Sequence, residues 1–229
     1  ALDHMVAELD RRKQEVTAAL AAKVDVLRTL LPPAAAERVG RGDRRLVDTV
    51  PQATVVALII EGLDDAFRGG DTGDNRDFIH AMVDEIDSSA VINGLERVKL
   101  SGDVYYAVCG LSTPYVDHAP RSVAFAIQAR NTVRRVAEEH DLHLDIAAGI
   151  NSGPITTGLV GGSRLVYDLW GDTVEDAYAV ARAAHGGDIV VTAATRDRTP
   201  AGRAMEPMDL VPGMETWCVD IEGRGVDDS

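Results

Sequence analysis

Lysine is scarce in this chain. There are three, Lys13, Lys23 and Lys99, against 20 arginines. Lys99 opens the string Lys99-Leu100-Ser101-Gly102-Asp103-Val104-Tyr105, which sets a cation and a carboxylate on either side of a Ser-Gly turn. Asp168 lies in a second block, DIAAGINSGPITTGLVGGSRLVYDLWGDTVEDA, from Asp145 to Ala177. A lysine donates hydrogen bonds and a carboxylate accepts them, so Lys99 and Asp168 offer opposite polarities to a ligand. Asp103 alone is an ordinary turn aspartate.

The elements that must carry these residues are legible from periodicity. Leu144 to Ile150 alternates as a buried strand, and Ser152-Gly153-Pro154 is expected to break it. Ile155 to Val160 is a second apolar run that stops at Gly161-Gly162. Leu165 to Leu169 reads as a short strand, and Asp172 or Thr173 as the N-cap of a helix to about Ala184. Upstream, Leu95 to Leu100 and Val104 to Leu111 form a hairpin around Ser101-Gly102-Asp103. Ala53 to Ile60 is the expected first core strand, and Gly62 to Asp74 a polar, glycine-rich loop. Asn75 to Val91 is helical with Phe78, Met82, Ile86 and Ala90 on one face. Asp117 to His140 is a long amphipathic helix with Val123, Ile127 and Val133 in its buried stripe. Asp188 to Thr192 is a strand, and Ala204 to Leu210 pairs with Glu215 to Ile221 as a last hairpin. The order β-α-β-β-α-β predicts an α+β, ferredoxin-like core with an extra C-terminal hairpin.

Ahead of this core, Val6, Leu9, Lys13, Val16, Leu20, Lys23, Leu27 and Leu30 recur at three- and four-residue spacing. That spacing reads as a coiled-coil seam interrupted by two lysines, which would weaken a pairing that must switch, the alternative being a helix that packs on its own domain. Ala1 to Met5 reads as a cloning remnant, and Pro32-Pro33 ends the helix. The expected division is a signalling helix over 1–33, a connector over 34–52 that includes a short helix from Ala34 to Arg41, a core over 53–222 and a disordered tail over 223–229.

The two blocks together, K-x-x-G-D-x-Y and then G-I-x-x-G-P-I-x-x-G-x-V-G with Y-D-L-W-G-D-T-V, resemble the catalytic domain of class III nucleotidyl cyclases. The resemblance covers about Leu46 to Asp220. It implies closure of ATP or GTP to a cyclic monophosphate with release of pyrophosphate. It also implies two divalent metals, Mg²⁺ or Mn²⁺, and a cleft shared by two chains as a homodimer or as a heterodimer with another cyclase-type domain. Residue by residue, the metal-binding roles fall on Glu61 and Asp103. The family has aspartate where Glu61 stands, and the longer side chain displaces its carboxylate from the near-octahedral geometry Mg²⁺ demands at about 2.0–2.1 Å. Asp64 and Asp65 replace small and aromatic loop residues of the family, and their charges would repel a triphosphate. Lys99 and Asp168 match the pair that reads adenine. The transition-state asparagine and arginine fall on Glu175 and Ala179, which exchanges an amide for a charge and deletes a cation. Arg182 lies one turn further on, and Leu210 to Trp217 carries no basic residue for the triphosphate.

The expected function is therefore a degenerate cyclase homology domain, regulatory, scaffolding or weakly ATP-binding, with weak or no turnover. The alternative is an active but atypical adenylyl cyclase, alone or as half of a heterodimer. A net charge of −14 argues against nucleic acid as a partner. No run approaches the ~20 apolar residues of a membrane span, so membrane attachment is expected only through segments absent from this chain, and a cytoplasmic location is expected. Cys109 and Cys218, in apolar strand-like runs, read as reduced thiols.

Overall fold

The computed structural model describes residues 2–43, 45–68, 74–161 and 166–221. The expected tail after Glu222, residues 69–73 of the first loop, Gly162 and the first residue of the Leu165 strand lie outside them.

In order, the elements are α1 (Leu2–Arg28), α2 (Pro33–Gly40), β1 (Val47–Glu61), α3 (Leu63–Arg68), α4 (Asp74–Ile92), β2 (Leu95–Ser101), β3 (Val104–Cys109), α5 (His118–Glu139), β4 (Asp145–Val160), β5 (Val166–Trp170), α6 (Asp172–Ala183), β6 (Ile189–Thr192), α7 (Ala193–Arg196), β7 (Met205–Pro207) and β8 (Thr216–Val219). The strands form one mixed sheet in the order β2-β3-β1-β4-β6-β8-β7, with β5 also paired to β4. Among the described residues only β4 and β6 run parallel; the other pairs are antiparallel. The β1-α4-β2-β3-α5-β4 run is the anticipated ferredoxin-like core, closed by the small β7–β8 hairpin.

Both faces of the sheet are covered, so the central strands are apolar on both sides. Val56, Leu58 and Ile60 of β1 point into a core with Phe78, Met82 and Ile86 of α4 and Val123 and Val133 of α5. Val55 and Ala57 point the other way, to Val174, Ala177 and Ala181 of α6 and to Ala35 of α2.

Three expectations are corrected. β4 does not break at Ser152-Gly153-Pro154. Val50 pairs with Ile155 and Ala53 with Gly153, so Pro51 and Gln52 bulge opposite Pro154 alone. The prolines, which lack N–H groups, fall at the bulge where the ladder is already interrupted, and the strand carries on. For the same reason β1 starts at Val47 rather than Ala53. The third correction is α3. Asp64 and Asp65 occupy its first turn, where carboxylates are favoured by the helix dipole, and Leu63 and Ala66 are buried beneath.

α1 stands largely clear of the domain. Val6, Leu9, Val16 and Leu20 of the expected seam are exposed. Its last turns fold back on α2, with the Val24 side chain against Gly40 and Leu27 half-buried. Cys109 and Cys218 are both free thiols, on β3 and β8. None of the described helices is long and apolar enough to cross a membrane.

Candidate active site

Glu61 is the last residue of β1, and the neighbouring β2–β3 turn carries Asp103. Ile59 is registered against Val104, and the Ile60 N–H donates to the Asp103 carbonyl at 2.9 Å. Strand pairing therefore brings the two acids to the same end of the sheet. After Glu61 the chain turns at Gly62, with φ +83°; a Cβ there would lie 2.0 Å from the His143 carbonyl oxygen. Only glycine allows the chain to leave β1 so abruptly into α3.

Glu61 and Asp103 line one cavity of about 360 Å³ with Tyr178 and Arg182 of α6. Among the described residues neither acid pairs with a cation. Asp145, registered opposite Glu61 on β4, is instead held by Arg134 at 2.6 Å. The Glu61 carboxylate reaches towards Gly186, where a Cβ would sit 2.5 Å from Oε2. That reach is what the extra methylene permits. No cluster of three or more His, Cys, Asp or Glu suited to a metal forms among the described residues. Two carboxylates nevertheless fit Mg²⁺ or Mn²⁺, which take one or two protein carboxylates and fill their other positions with water and phosphate oxygens.

The second pair is already joined. Lys99 Nζ donates to Asp168 Oδ1 at 2.5 Å, with both side chains about three-tenths exposed. A bulge between Arg97 and Lys99 inserts Val98 into β2, burying Val98 and setting Lys99 opposite Tyr106. Lys99 Nζ sits 5.0 Å from the centre of the Tyr106 ring. Asp168 is fixed from below by the Leu169 N–H at 2.8 Å. Burial, followed by the neighbouring Tyr178 and Asp168, pushes the Tyr106 hydroxyl up to about 12.

α6 begins differently from expectation. Gly171 is its N-cap, and neither Asp172 nor Thr173 caps it with a side chain. Thr173 Oγ1 donates instead to the Pro154 carbonyl at 2.7 Å, tying the helix to β4. Asn151 Nδ2 reaches the Thr173 carbonyl at 3.4 Å and Asp176 at 3.3 Å, while its Oδ1 accepts from Thr192 at 2.7 Å. A Cβ on Gly149 would fall 2.1 Å from the Ala177 carbonyl oxygen and 2.4 Å from the Ala181 nitrogen. The helix backbone rests directly on β4 at that point.

These contacts set which side chains of α6 face the acids. Tyr178, Ala181 and Arg182 line the cavity of Glu61 and Asp103; Glu175 and Ala179 do not. Glu175 is exposed in the first turn of α6, where its charge favours the helix dipole. The structure thus joins Glu61 with Asp103, and Lys99 with Asp168, and brings Glu175 and Ala179 to neither pair within this chain. Asp64 and Asp65 are exposed and do not line that cavity. Sequence reading passed over Tyr178; its signal was the helical spacing of four residues to Arg182.

The family described as the adenylate and guanylate cyclase catalytic domain matches residues 50–209. An adenylate cyclase of Mycobacterium tuberculosis is 28% identical over 202 residues, 88% of this chain and 44% of the relative. The chain spans less than half the length of the curated relatives it matches. Among solved structures, the guanylate cyclase domain of RhGC from Catenaria anguillulae in complex with GTP aligns with a TM-score of 0.69 at 26% identity, covering 75% of this chain and 97% of that one. The adenylyl cyclase CyaB from P. aeruginosa aligns with the same TM-score of 0.69 at 20% identity, over 76% and 95%. The backbone is thus as close to a guanylate cyclase as to an adenylyl cyclase.

Proposed function

The chain belongs to the adenylate and guanylate cyclase catalytic domain family, and from that premise we propose that it is a degenerate member, which recognises ATP and turns it over weakly or not at all. In this reading the domain is regulatory or scaffolding, and works as a homodimer or beside another cyclase-type domain.

The observation that carries the reading is the contrast between the two halves of the site. Lys99 and Asp168 are ion-paired with each other at the base-reading position. Lys99 can donate to a ring nitrogen of adenine, and Asp168 can accept from the exocyclic amine; guanine would need the opposite polarity. At the transition-state positions stand Glu175 and Ala179. Glu175 brings a negative charge towards ribose and phosphate, and Ala179 brings no donor. One preorganised donor is typically worth roughly 3–4 kcal/mol, or 10²–10³ in rate. Glu61 and Asp103 would hold Mg²⁺ or Mn²⁺, which when bound neutralises triphosphate charge and favours ionisation of the 3′-oxygen. Glu61 serves that role with a carboxylate that leans towards Gly186.

The alternative, an active but atypical adenylyl cyclase, is favoured by one observation: Arg182 is a cation lining the acidic cavity. Cyclic AMP formation separates the two. With Mn²⁺ and ATP, the chain should give trace product only. Glu61→Asp, Glu175→Asn and Ala179→Arg together should raise it well above any single change, because all three act on one transition state. Adding Asp103→Ala should remove that gain. Robust turnover by the unmodified chain would end the degenerate reading.

A further inference from the structure

We propose that Arg182 is the phosphate-binding cation of this chain and acts within its own protomer, on a metal-complexed pyrophosphate or triphosphate seated over Glu61 and Asp103. This rests on the nucleotide-binding reading above and deepens it. Arg182 does not take over the place of Ala179. It lies three residues further along α6, about 4.5 Å along the axis and roughly 60° around it, on a neighbouring part of the same face. Arg182 lines the cavity of the two acids and Ala179 does not.

A series of ring and cation contacts leads to it. The Arg182 guanidinium carbon is 5.8 Å from the centre of the Tyr178 ring. Tyr178 and Tyr106 have ring centres 6.2 Å apart, and Tyr106 carries Lys99 Nζ at 5.0 Å on the base-reading side. These contacts run from the Lys99–Asp168 pair to the acidic cavity inside one chain. A guanidinium held by an aromatic ring is pre-ordered, and its planar fork suits two phosphate oxygens at once.

The charges define the ligand. Among the described residues Arg182 pairs with no carboxylate, and Glu61 and Asp103 with no cation, although all three line one cavity of about 360 Å³. Two carboxylates and one guanidinium leave a net charge of −1. That balance repels a bare phosphate anion and accepts a complex that carries both signs, with the divalent cation towards the acids and the phosphoryl oxygens towards Arg182. Because all three groups belong to one chain, such binding does not need a dimer.

The test is calorimetry on the full chain with Mn²⁺-pyrophosphate, together with the paramagnetic resonance signal of bound Mn²⁺. The unmodified chain should bind Mn²⁺-pyrophosphate and not pyrophosphate alone. Arg182→Ala should weaken the complex about tenfold or more while Mn²⁺ alone binds as before. Arg182→Lys should lose less, and Tyr178→Ala more than Tyr178→Phe. Arg182 is exposed, so its replacement leaves the core intact. Unchanged affinity in Arg182→Ala overturns the proposal, as does a chain that binds no Mn²⁺-pyrophosphate. Adenosine, which has no phosphate, tests the underlying reading separately. Its binding should depend on Lys99 and not on Arg182, and its loss alone would refute the base assignment and leave the phosphate result standing.

Discussion

Replacing Gly149 by alanine tests whether the site depends on the seating of α6. The new Cβ would lie 2.1 Å from the Ala177 carbonyl oxygen, 2.4 Å from the Ala181 nitrogen and 3.1 Å from the Ala181 Cα. The first of these is about 1.3 Å short of ordinary van der Waals contact. All three atoms are helix backbone, so no rotamer change relieves the clash and α6 must lift from β4. Overpacking of a core typically costs about 1–3 kcal/mol, and a backbone-to-backbone clash belongs at the upper end. For a domain of this size each kcal/mol lowers Tm by roughly 2–4 °C, so a loss of roughly 6–12 °C is expected. Thermal unfolding followed by circular dichroism measures it. Gly202→Ala is the control, because nothing lies within 4 Å of its added Cβ, and it should melt with the unmodified chain. Lifting α6 also carries Tyr178 and Arg182 away from Glu61 and Asp103, so Mn²⁺-pyrophosphate binding should weaken together with stability. A Gly149→Ala variant that melts within about 2 °C of the unmodified chain would refute the argument that β4 and α6 touch backbone to backbone.

Lys99→Ala should abolish any preference for a non-hydrolysable ATP analogue over its GTP counterpart, as read by competition calorimetry; equal affinities before and after the change would sink the base assignment. His118 is buried, with Nδ1 2.6 Å from Thr54 Oγ1, which in turn lies 2.7 Å from Ser152 Oγ. Burial, reinforced by Arg198 and opposed by Asp117, holds its pKa below the ordinary 6.5. The folded chain therefore prefers neutral imidazole, and this contribution is present above pH 6.5 and lost as pH falls through the depressed value. Urea midpoints should fall as pH drops from 6.5 towards that value, and His118→Gln should flatten the drop; parallel profiles would count against it. Lys13→Leu combined with Lys23→Leu should promote association through α1, and a sedimentation profile that stays monomeric at high concentration for both forms would exclude the seam.

Local pattern carried the elements of this protein a long way. Period-two alternation and glycine punctuation marked β4, β2 and β3, and the helical stripe of Phe78, Met82, Ile86 and Ala90 placed α4 against the core. The two motif blocks pointed to the family from residue types and order alone, and the Lys99–Asp168 pairing, 69 residues apart, followed from that alignment. What local pattern misjudged depends on partners distant in sequence. Pro154 looks like a strand breaker until Pro51 and Gln52 bulge opposite it on β1. Asp64 and Asp65 look like loop residues until the Gly62 turn against His143 starts a helix beneath them. The same holds for the site. The family resemblance, counted from Trp170, put the cation position at Ala179. The direction each α6 side chain takes is set by Gly149, Asn151 and Pro154 of β4, which fix the rotation of the helix on the sheet. That rotation turns Tyr178 and Arg182 towards Glu61 and Asp103. It is a tertiary choice, because a helix has no preferred side until something packs against it.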